Sequence, residues 1–288
     1  MNIIRSALIV AALALVVVSP ASAQVDDGDK ITVTLTDPSR PVQLKAGLMN
    51  GSITVKGYAG KEVIVTAKDR PGTGSDDLDE LDWGGSKNLE RRKGMRRITG
   101  NSSTLSVEED NNEVSINTGI RGMGKTLELV IQVPVNTSMK LNTMNDGDIV
   151  VTGVKGDIEV SNMNGAISIR DVTGSVVADA MNADIDVVFN GIDPKKSMSF
   201  SSMNGDIDVT FPAGTAATLR MKSDMGEIYS DFDMKMDNTT TRVEDNGKGR
   251  KGRYKVTLEK LMTGTINGGG PEIIFKNFNG DIYVRKGK

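Results

Sequence analysis

One seven-residue stretch decides the fold, and it reads Met163-Asn164-Gly165-Ala166-Ile167-Ser168-Ile169. An Asn-Gly pair is typical of a tight turn, because Gly adopts positive φ freely and Asn tolerates it better than most residues. The alternation Ile-x-Ile that follows predicts a half-buried β-strand. Each copy of this Met-Asn-Gly motif therefore predicts a turn and a short strand. Exact and looser copies occupy 49–55, 144–149, 181–187, 203–209, 225–229 and 278–284.

The spacing of the copies favours a stacked arrangement. Weaker copies fall between the strong ones, so that a small residue recurs every nine positions from Gly147 to Ala183, and two such steps make an 18-residue unit. A solenoid places the same motif on itself one coil later, whereas a meander of antiparallel hairpins, the alternative, does not require this match. We predict an all-β, single-domain β-solenoid, parallel β-helix-like, with coils of about 18–22 residues and Asn-Gly corner turns.

Stacking of the coils predicts rows of identical side chains. The aliphatic residues of the motif should form an interior ladder, and the Asn residues should form an amide ladder along the corner, at about 4.8 Å from coil to coil. The Met of each motif shares the parity of the Ile, so we expect it to point inward as well. The interior ladder comprises Ile149, Ile167, Ile185, Ile207 and Ile228, and the amide ladder comprises Asn145, Asn164, Asn182 and Asn204.

Composition argues against several functional classes. The chain has 288 residues, with 35 Lys and Arg against 38 Asp and Glu, a net charge of −3 that is unlike the basic excess of a nucleic-acid-binding protein. It has no Cys and no His, which removes disulfides, thiolate or imidazole metal sites and Ser-His or Cys-His catalytic pairs. Aromatic residues make up 4%, too few for a surface of stacking rings.

The N-terminus predicts export. Residues 1–23 have the pattern of a secretory signal peptide, with Arg5, an apolar run from Ala7 to Val18 and a small-residue cleavage site ending at Ala23. The apolar run is too short to span a bilayer as a helix, and no second long apolar run follows, so no transmembrane segment is expected in the mature chain. We predict a solenoid domain over 24–288, located in the periplasm, on the cell surface or outside the cell.

Two polar segments interrupt the repeat. Residues 71–99 contain the only Trp between an acidic and a basic run and predict an inserted charged loop, and residues 237–253 predict a second, polar loop. Because Trp and Arg are favoured at interfaces, the insertion is a candidate partner-binding region, although a solvated loop is the simpler interpretation. Its candidate residues are Trp83, Arg91, Arg92, Arg96 and Arg97.

Carboxylates of the repeat are the remaining chemical candidates. Stacking would bring Asp184, Asp206 and Glu227 into one row, which must either face water or bind a cation such as Ca²⁺. The Gly-Gly-x-Gly-x-Asp motif of calcium-binding β-rolls is absent, and other copies of the motif lack the carboxylate. We therefore assign no cofactor and no metal site, and these three carboxylates are weak candidates for Ca²⁺ ligands. Paired carboxylates can also hydrolyse glycosides, yet here they follow the repeat and form no separate cluster.

Four segments together resemble a known family: 40–58, 129–134, the Asn-Gly-Asp-Ile copies, and 264–282. The chain is similar to a bacterial exported β-strand-repeat family of unknown function whose members carry an adhesin label. The resemblance implies a β-solenoid-like fold and a cell-envelope location, and it supplies no catalytic residues. We therefore expect a non-enzymatic, adhesin-like envelope protein that engages a protein or polymer partner; a cation-binding structural module and a polysaccharide-active enzyme are the alternatives.

Overall fold

The computed structural model of the protein describes residues 29–70, 105–118, 126–245 and 256–288. These residues form nineteen β-strands and no helix, and so contain no helical membrane span. The strands are β1 (Asp29–Thr34), β2 (Val42–Tyr58), β3 (Glu62–Asp69), β4 (Leu105–Asp110), β5 (Glu113–Thr118), β6 (Leu127–Pro134), β7 (Thr137–Asn145), β8 (Ile149–Thr152), β9 (Lys155–Asn162), β10 (Ile167–Ala180), β11 (Ile185–Ile192), β12 (Met198–Asn204), β13 (Ile207–Phe211), β14 (Ala217–Ser223), β15 (Ile228–Ser230), β16 (Met234–Asp245), β17 (Val256–Ile266), β18 (Glu272–Asn279) and β19 (Ile282–Lys286).

Most strands belong to one of two parallel stacks that face each other. Face A contains the strands that lead into a motif corner: β5, the first half of β2, β7, β9, the second half of β10, β12, β18 and β14. Face B contains the strands that leave it: β6, the second half of β2, β8, the first half of β10, β11, β13, β19 and β15. The chain thus winds as a flattened β-solenoid with one strand per face in each coil.

Equivalent positions of successive motifs lie side by side. Ile149, Ile167, Ile185 and Ile207 are neighbours on face B and are fully buried. Phe200 on face A packs edge-to-face with Phe189 on face B at 6.5 Å between ring centroids. The core therefore lies between the two faces, and it is built from one inward side chain at every second position of each strand.

The order of the coils differs from the order of the chain at the C-terminal end. Ile207 pairs with Ile282, and Ile282 pairs in turn with Ile228, so the predicted direct contact between Ile207 and Ile228 is wrong. The last coil, β18 and β19, lies between the β12/β13 coil and the β14/β15 coil. The first described coil behaves in the same way, because β2 lies between the β5/β6 coil and the β7/β8 coil.

Motif complementarity gives a physical reason for this intercalation. The motif at 278–282 keeps the Asn, Gly and Asp that the looser copy at 225–228 partly lacks. Asn279 donates a hydrogen bond to Asn204 at 3.5 Å, and the backbone N–H of Asp281 donates to the Asp206 carboxylate at 2.8 Å. Phe275 stacks on Phe200 with ring centroids 5.2 Å apart. The β12/β13 coil therefore finds a better neighbour in β18/β19 than in the coil that follows it in sequence.

Antiparallel strands flank the described coils at both ends. β3 pairs with β6 and β1 with β3 on face B, and β4 pairs with β5 on face A. At the other end β17 pairs with β14 and β16 with β17. The predicted polar loop at 237–253 is wrong in part, because residues 237–245 belong to β16. The Thr residues and Val243 of this segment favour strands. The insertion at 71–99 and the predicted signal peptide at 1–23 lie outside the described residues.

Side-chain ladders hold the motif corners together. The predicted amide ladder is present, since Asn164 donates to Asn145 at 3.0 Å, Asn182 to Asn164 at 2.8 Å and Asn204 to Asn182 at 3.1 Å. Asn145 also donates to Asn50 at 3.2 Å. A chain of amides in which each side chain both donates and accepts leaves few polar groups without a partner, and this fixes the register of neighbouring coils.

Close approach of backbones explains the corner glycines better than turn geometry alone. At Gly165, whose φ is not in the left-handed region, an added Cβ would lie 2.1 Å from the carbonyl oxygen of Gly147. At Gly51 the Cβ would lie 1.9 Å from the carbonyl oxygen of Leu127, and φ is +128°. Ala183 occupies the equivalent corner of another coil, so the requirement for a residue without a Cβ differs from coil to coil.

A Gly51→Ala substitution tests this packing. We expect the free energy of unfolding to fall by about 2 kcal/mol or more, because the methyl group meets a backbone carbonyl that cannot move aside and the positive φ is strained for Ala. Gly214→Ala is the matched control, since its Cβ would meet no atom within 4 Å. Urea denaturation of the purified variants measures both effects; equal stabilities would contradict the stacking of β2 on β6.

Candidate functional site: the methionine groove

A row of exposed, large apolar side chains runs along the edge of face A. The row runs from coil to coil just before each corner, and its members have exposed fractions between 37% for Met163 and 50% for Met203 and Phe278. The expectation that the motif methionines point inward is therefore wrong. We define the methionine row as Met49, Met144, Met163, Met181 and Met203, continued by Phe278; Asp224 takes the next place in register.

Strand parity at the corner explains the error. In β12, Met198 and Phe200 point inward and are buried, so Met203, an odd number of positions from either, points outward. The chain then turns at Asn204 and Gly205 before Ile207 enters the core on face B. Because the corner changes the direction of the chain, the alternation of inward and outward side chains does not continue from Met to Ile across it. Parity counted within face A alone identifies the row.

A groove accompanies the methionine row. It is a cavity of about 620 Å³, within the size range of ligand-binding clefts. One side is the row itself, and the other side is a row of polar residues two positions earlier on the same strands. These polar residues are Asn142, Ser161, Asp179, Ser201 and Lys276, and Lys222 follows beside Lys276 on β14. A second cavity of about 500 Å³ continues along Met49 and Met144 toward Lys45 and Lys140.

Buried polar side chains lie beneath the row and support the corners. The Nδ2 group of Asn162 donates to the carbonyl of Gly147 at 3.0 Å, and that of Asn277 donates to Gly205 at 2.8 Å. Ser202 donates to the carbonyl of Ala183 at 3.3 Å. The side-chain oxygens of Thr143, Asn162 and Asn277 are buried and accept no hydrogen bond from the described part of the chain. The floor of the groove therefore has a fixed backbone and several buried acceptors.

Charges are distributed unevenly along the groove. At the C-terminal end the Lys222 ammonium lies 3.4 Å from the Asp224 carboxylate. Toward the other end the Lys140 ammonium lies 2.7 Å from the Glu159 carboxylate. The Asp179 carboxylate is exposed on β10, two positions from Met181 on the same outward side of the strand. Asp179 therefore lies between Ser161 and Ser201 in the polar row, and Lys276 follows Ser201 on the next strand.

A separate charged cluster lies on the outer side of face B. Asp186 and Asp208 are neighbours in register. Asp186 forms an ion pair with Arg170, and Asp208 accepts hydrogen bonds of 2.7 and 2.8 Å from Arg285. Burial raises the pKa of Asp186 and the adjacent Asp208 carboxylate raises it further, while Arg170 and Arg285 oppose this shift. The guanidinium groups thus balance both carboxylates, as in a structural ion-pair network.

The carboxylates proposed as cation ligands have backbone partners. Asp184 accepts the N–H of Asp206 at 2.8 Å, and Asp281 accepts the N–H of Glu227 at 2.8 Å. Asp281 lies between Asp206 and Glu227 in the row, which changes the predicted order. No group of three or more Asp and Glu residues within the described segments is arranged to hold a metal ion. Calcium binding by Asp184, Asp206 and Glu227 stays an untested hypothesis.

The partner-binding candidates of the charged insertion lie in a part of the chain that the structure does not describe. These are Trp83, Arg91, Arg92, Arg96 and Arg97. The candidate surface in the described residues, the methionine row, was missed because its residues were assigned to the core. The signal that could have revealed it is the recurrence of Met directly after the buried residues Thr143, Asn162, Ala180 and Ser202, at or near the ends of β7, β9, β10 and β12.

Two methionines of β12 provide a matched test of the row. Met203→Gln should change the free energy of unfolding by less than about 0.5 kcal/mol, because the side chain is half exposed. Met198→Gln should cost about 2 kcal/mol or more, because it buries an amide at a position that is 2% exposed. Thermal or urea denaturation of both variants checks this; a greater loss for Met203→Gln would contradict the outward row.

Comparison with known proteins identifies the family. A structure titled a "putative cell adhesion protein" from Clostridium sporogenes aligns with a TM-score of 0.38 and 10% identity over 90% of this chain and 99% of its own. A "putative adhesin" from Bacteroides fragilis aligns with a TM-score of 0.30 and 11% identity over 90% and 96%. No curated protein matches the sequence. The model of the Toastrack DUF4097 family matches residues 23–267, which confirms the resemblance drawn from the motifs, and the chain belongs to this family of unknown function.

Proposed function

We propose that the protein is a non-enzymatic, adhesin-like component of the cell envelope that engages a protein or polymer partner through the methionine groove. The observation that carries this proposal is the uninterrupted exposure of Met49, Met144, Met163, Met181 and Met203 in one row. The outward residues two positions earlier, Asn142, Ser161, Asp179 and Ser201, are polar, and the methionines themselves lie outside the core. A contiguous exposed apolar row on an otherwise polar surface is typical of an interaction site.

Methionine suits a binding surface better than other apolar residues. Its unbranched side chain and polarizable sulfur adapt to different contacting shapes, which is why Met is frequent on surfaces that bind varied partners. The groove beside the row supplies polar groups that can orient an extended ligand, among them Ser161, Ser201 and Lys276. A straight row of identical sites also fits a partner that is itself extended, because each coil offers the same contact.

Export is part of the proposal and rests on the sequence of residues 1–23. The family is of unknown function, and the adhesin names belong to the two solved proteins. The charged insertion at 71–99 is a second partner-binding region in this proposal, with Trp83 and the neighbouring arginines as its anchors. The face B carboxylates support the non-enzymatic assignment, since Asp186 and Asp208 are held in ion pairs with Arg170 and Arg285.

Site-specific photo-cross-linking in the native bacterium tests the proposal. A benzophenone amino acid at Met163 should give a discrete adduct, whereas the same amino acid at Asn190, exposed on β11 of face B, should not. Met181→Asp should remove the Met163 adduct, because a carboxylate in the row prevents apolar contact. A variant lacking 71–99 shows whether the insertion is also needed.

Adducts are identified by mass spectrometry after purification of the tagged protein. An adduct that forms equally from Met163 and Asn190, or one that survives Met181→Asp, would contradict groove binding. An adduct that requires the insertion as well as the row would assign the partner to both surfaces. Loss of the adduct on deletion with no effect of Met181→Asp would move the partner site to the insertion and reject the groove.

A further inference from the structure

The methionine row contains five thioethers with no other side chain between them. The register of face A places Met49 beside Met144, since Leu48 pairs with Thr143 and Asn50 with Asn145. Thr143 pairs with Asn162, which places Met144 beside Met163. The backbone N–H of Met181 donates to the carbonyl of Asn162 at 3.0 Å, next to Met163. Neighbouring strands in a sheet lie about 4.8 Å apart, so adjacent sulfurs can approach a common point.

The same register continues the row to its boundary. Ala180 pairs with Ser202, so Met181 lies beside Met203. Asn204 pairs with Asn279, so Met203 lies beside Phe278, where the run of thioethers ends. All five sulfur-bearing side chains are between 37% and 50% exposed. They are therefore accessible to a small solute without any rearrangement of the core.

Thioether sulfur has a specific preference among metal ions. Soft ligands such as the Met sulfur bind Cu(I), and by the same softness Ag(I), whereas Ca²⁺ and Mg²⁺ prefer oxygen. The chain has no Cys and no His, so Met is the softest ligand that it possesses. Three rotatable bonds beyond Cα let two or three sulfurs from adjacent coils turn toward one ion.

Charge near the middle of the row favours a cation there. Asp179 lies two positions before Met181 on β10, and both line the groove. Two positions along an extended chain span about 7 Å, so the Asp179 carboxylate attracts a single positive charge held by neutral sulfurs. Lys45 and Lys140 at one end of the groove, and Lys276 and Lys222 on the strands beyond Met203, disfavour a cation. Met181 and its two neighbours in the row, Met163 and Met203, lie nearest to Asp179 and are therefore the best-placed ligands.

We propose that Met163, Met181 and Met203 form a binding site for a soft monovalent metal ion, Cu(I) or its analogue Ag(I). The site goes beyond partner binding by the groove and does not depend on it. A cation held by thioethers needs no thiol or imidazole, and stacking of three coils supplies the ligands from one repeated position of the sequence. The Asp179 carboxylate stabilises the bound charge from the opposite side of the groove.

Silver binding tests the site directly. The purified protein is incubated with Ag⁺, passed through a desalting column and assayed for silver per chain by mass spectrometry; in parallel, Cu⁺ is kept reduced with ascorbate and competed with a chromophoric Cu(I) chelator. We expect the wild-type protein to retain about one ion per chain. The triple variant M163L/M181L/M203L should lose at least about tenfold in affinity, because Leu keeps the apolar shape and removes the sulfur.

The matched control is M225L/M236L/M262L, which removes three exposed methionines outside the uninterrupted run. It should bind as the wild type does, and both variants should melt at the wild-type temperature without metal, since all six positions are exposed. Absence of retained silver in the wild type, or equal loss in the two triple variants, would overturn the proposal. Cross-linking from Met163 in metal-free protein is a separate readout, so failure of the metal site and failure of groove binding are distinguishable.

Discussion

In-register parallel pairing of successive coils is the constraint on which the rest of the structure depends. Because each coil lies directly on its neighbour, a residue that recurs in the sequence becomes a straight row in space. The inward Ile ladder, the Asn amide ladder and the methionine row are three consequences of the same register. The corner glycines make that register possible, since an added Cβ at Gly165 would meet the backbone of the adjacent coil at 2.1 Å.

The rows differ in what they contribute. The buried Ile ladder supplies apolar burial, about 25 cal/mol for each Å² removed from water. The Asn ladder and the carboxylate-to-backbone bonds, such as Asp184 to the N–H of Asp206 at 2.8 Å, satisfy polar groups at the corner and fix the register. The methionine row contributes less to either, because its side chains remain 37–50% exposed and form no hydrogen bonds with one another. A repeated position that does not serve folding is the natural place for function in a solenoid, and this separation underlies both proposals.

Much of this architecture is predictable from the sequence, and the failures have physical causes. The all-β class, the stacking of Ile149, Ile167, Ile185 and Ile207, and the amide ladder follow from local turn and strand preferences repeated at a fixed spacing. The direction of the methionines does not follow, because parity is lost at a corner. The insertion of β18/β19 between earlier coils depends on which motifs fit together in space, as in the contact of Phe275 with Phe200, and order along the chain does not reveal it. The polar part of β16 resembles a loop in composition, yet its partner β17 supplies the pairing that makes it a strand.

Disulfide trapping tests the central claim most directly, because the chain has no Cys of its own. Ser201 on β12 pairs with Lys276 on β18, and Lys276 pairs with Lys222 on β14, so Lys276 separates Ser201 from Lys222. Adjacent parallel strands bring Cα atoms within disulfide range, whereas positions two strands apart lie beyond the limit of about 7 Å. Mild oxidation of the double variant S201C/K276C should therefore give a rapid intramolecular disulfide, and S201C/K222C should stay reduced. Rapid disulfide formation in S201C/K222C with none in S201C/K276C would show coils stacked in chain order and would contradict the account.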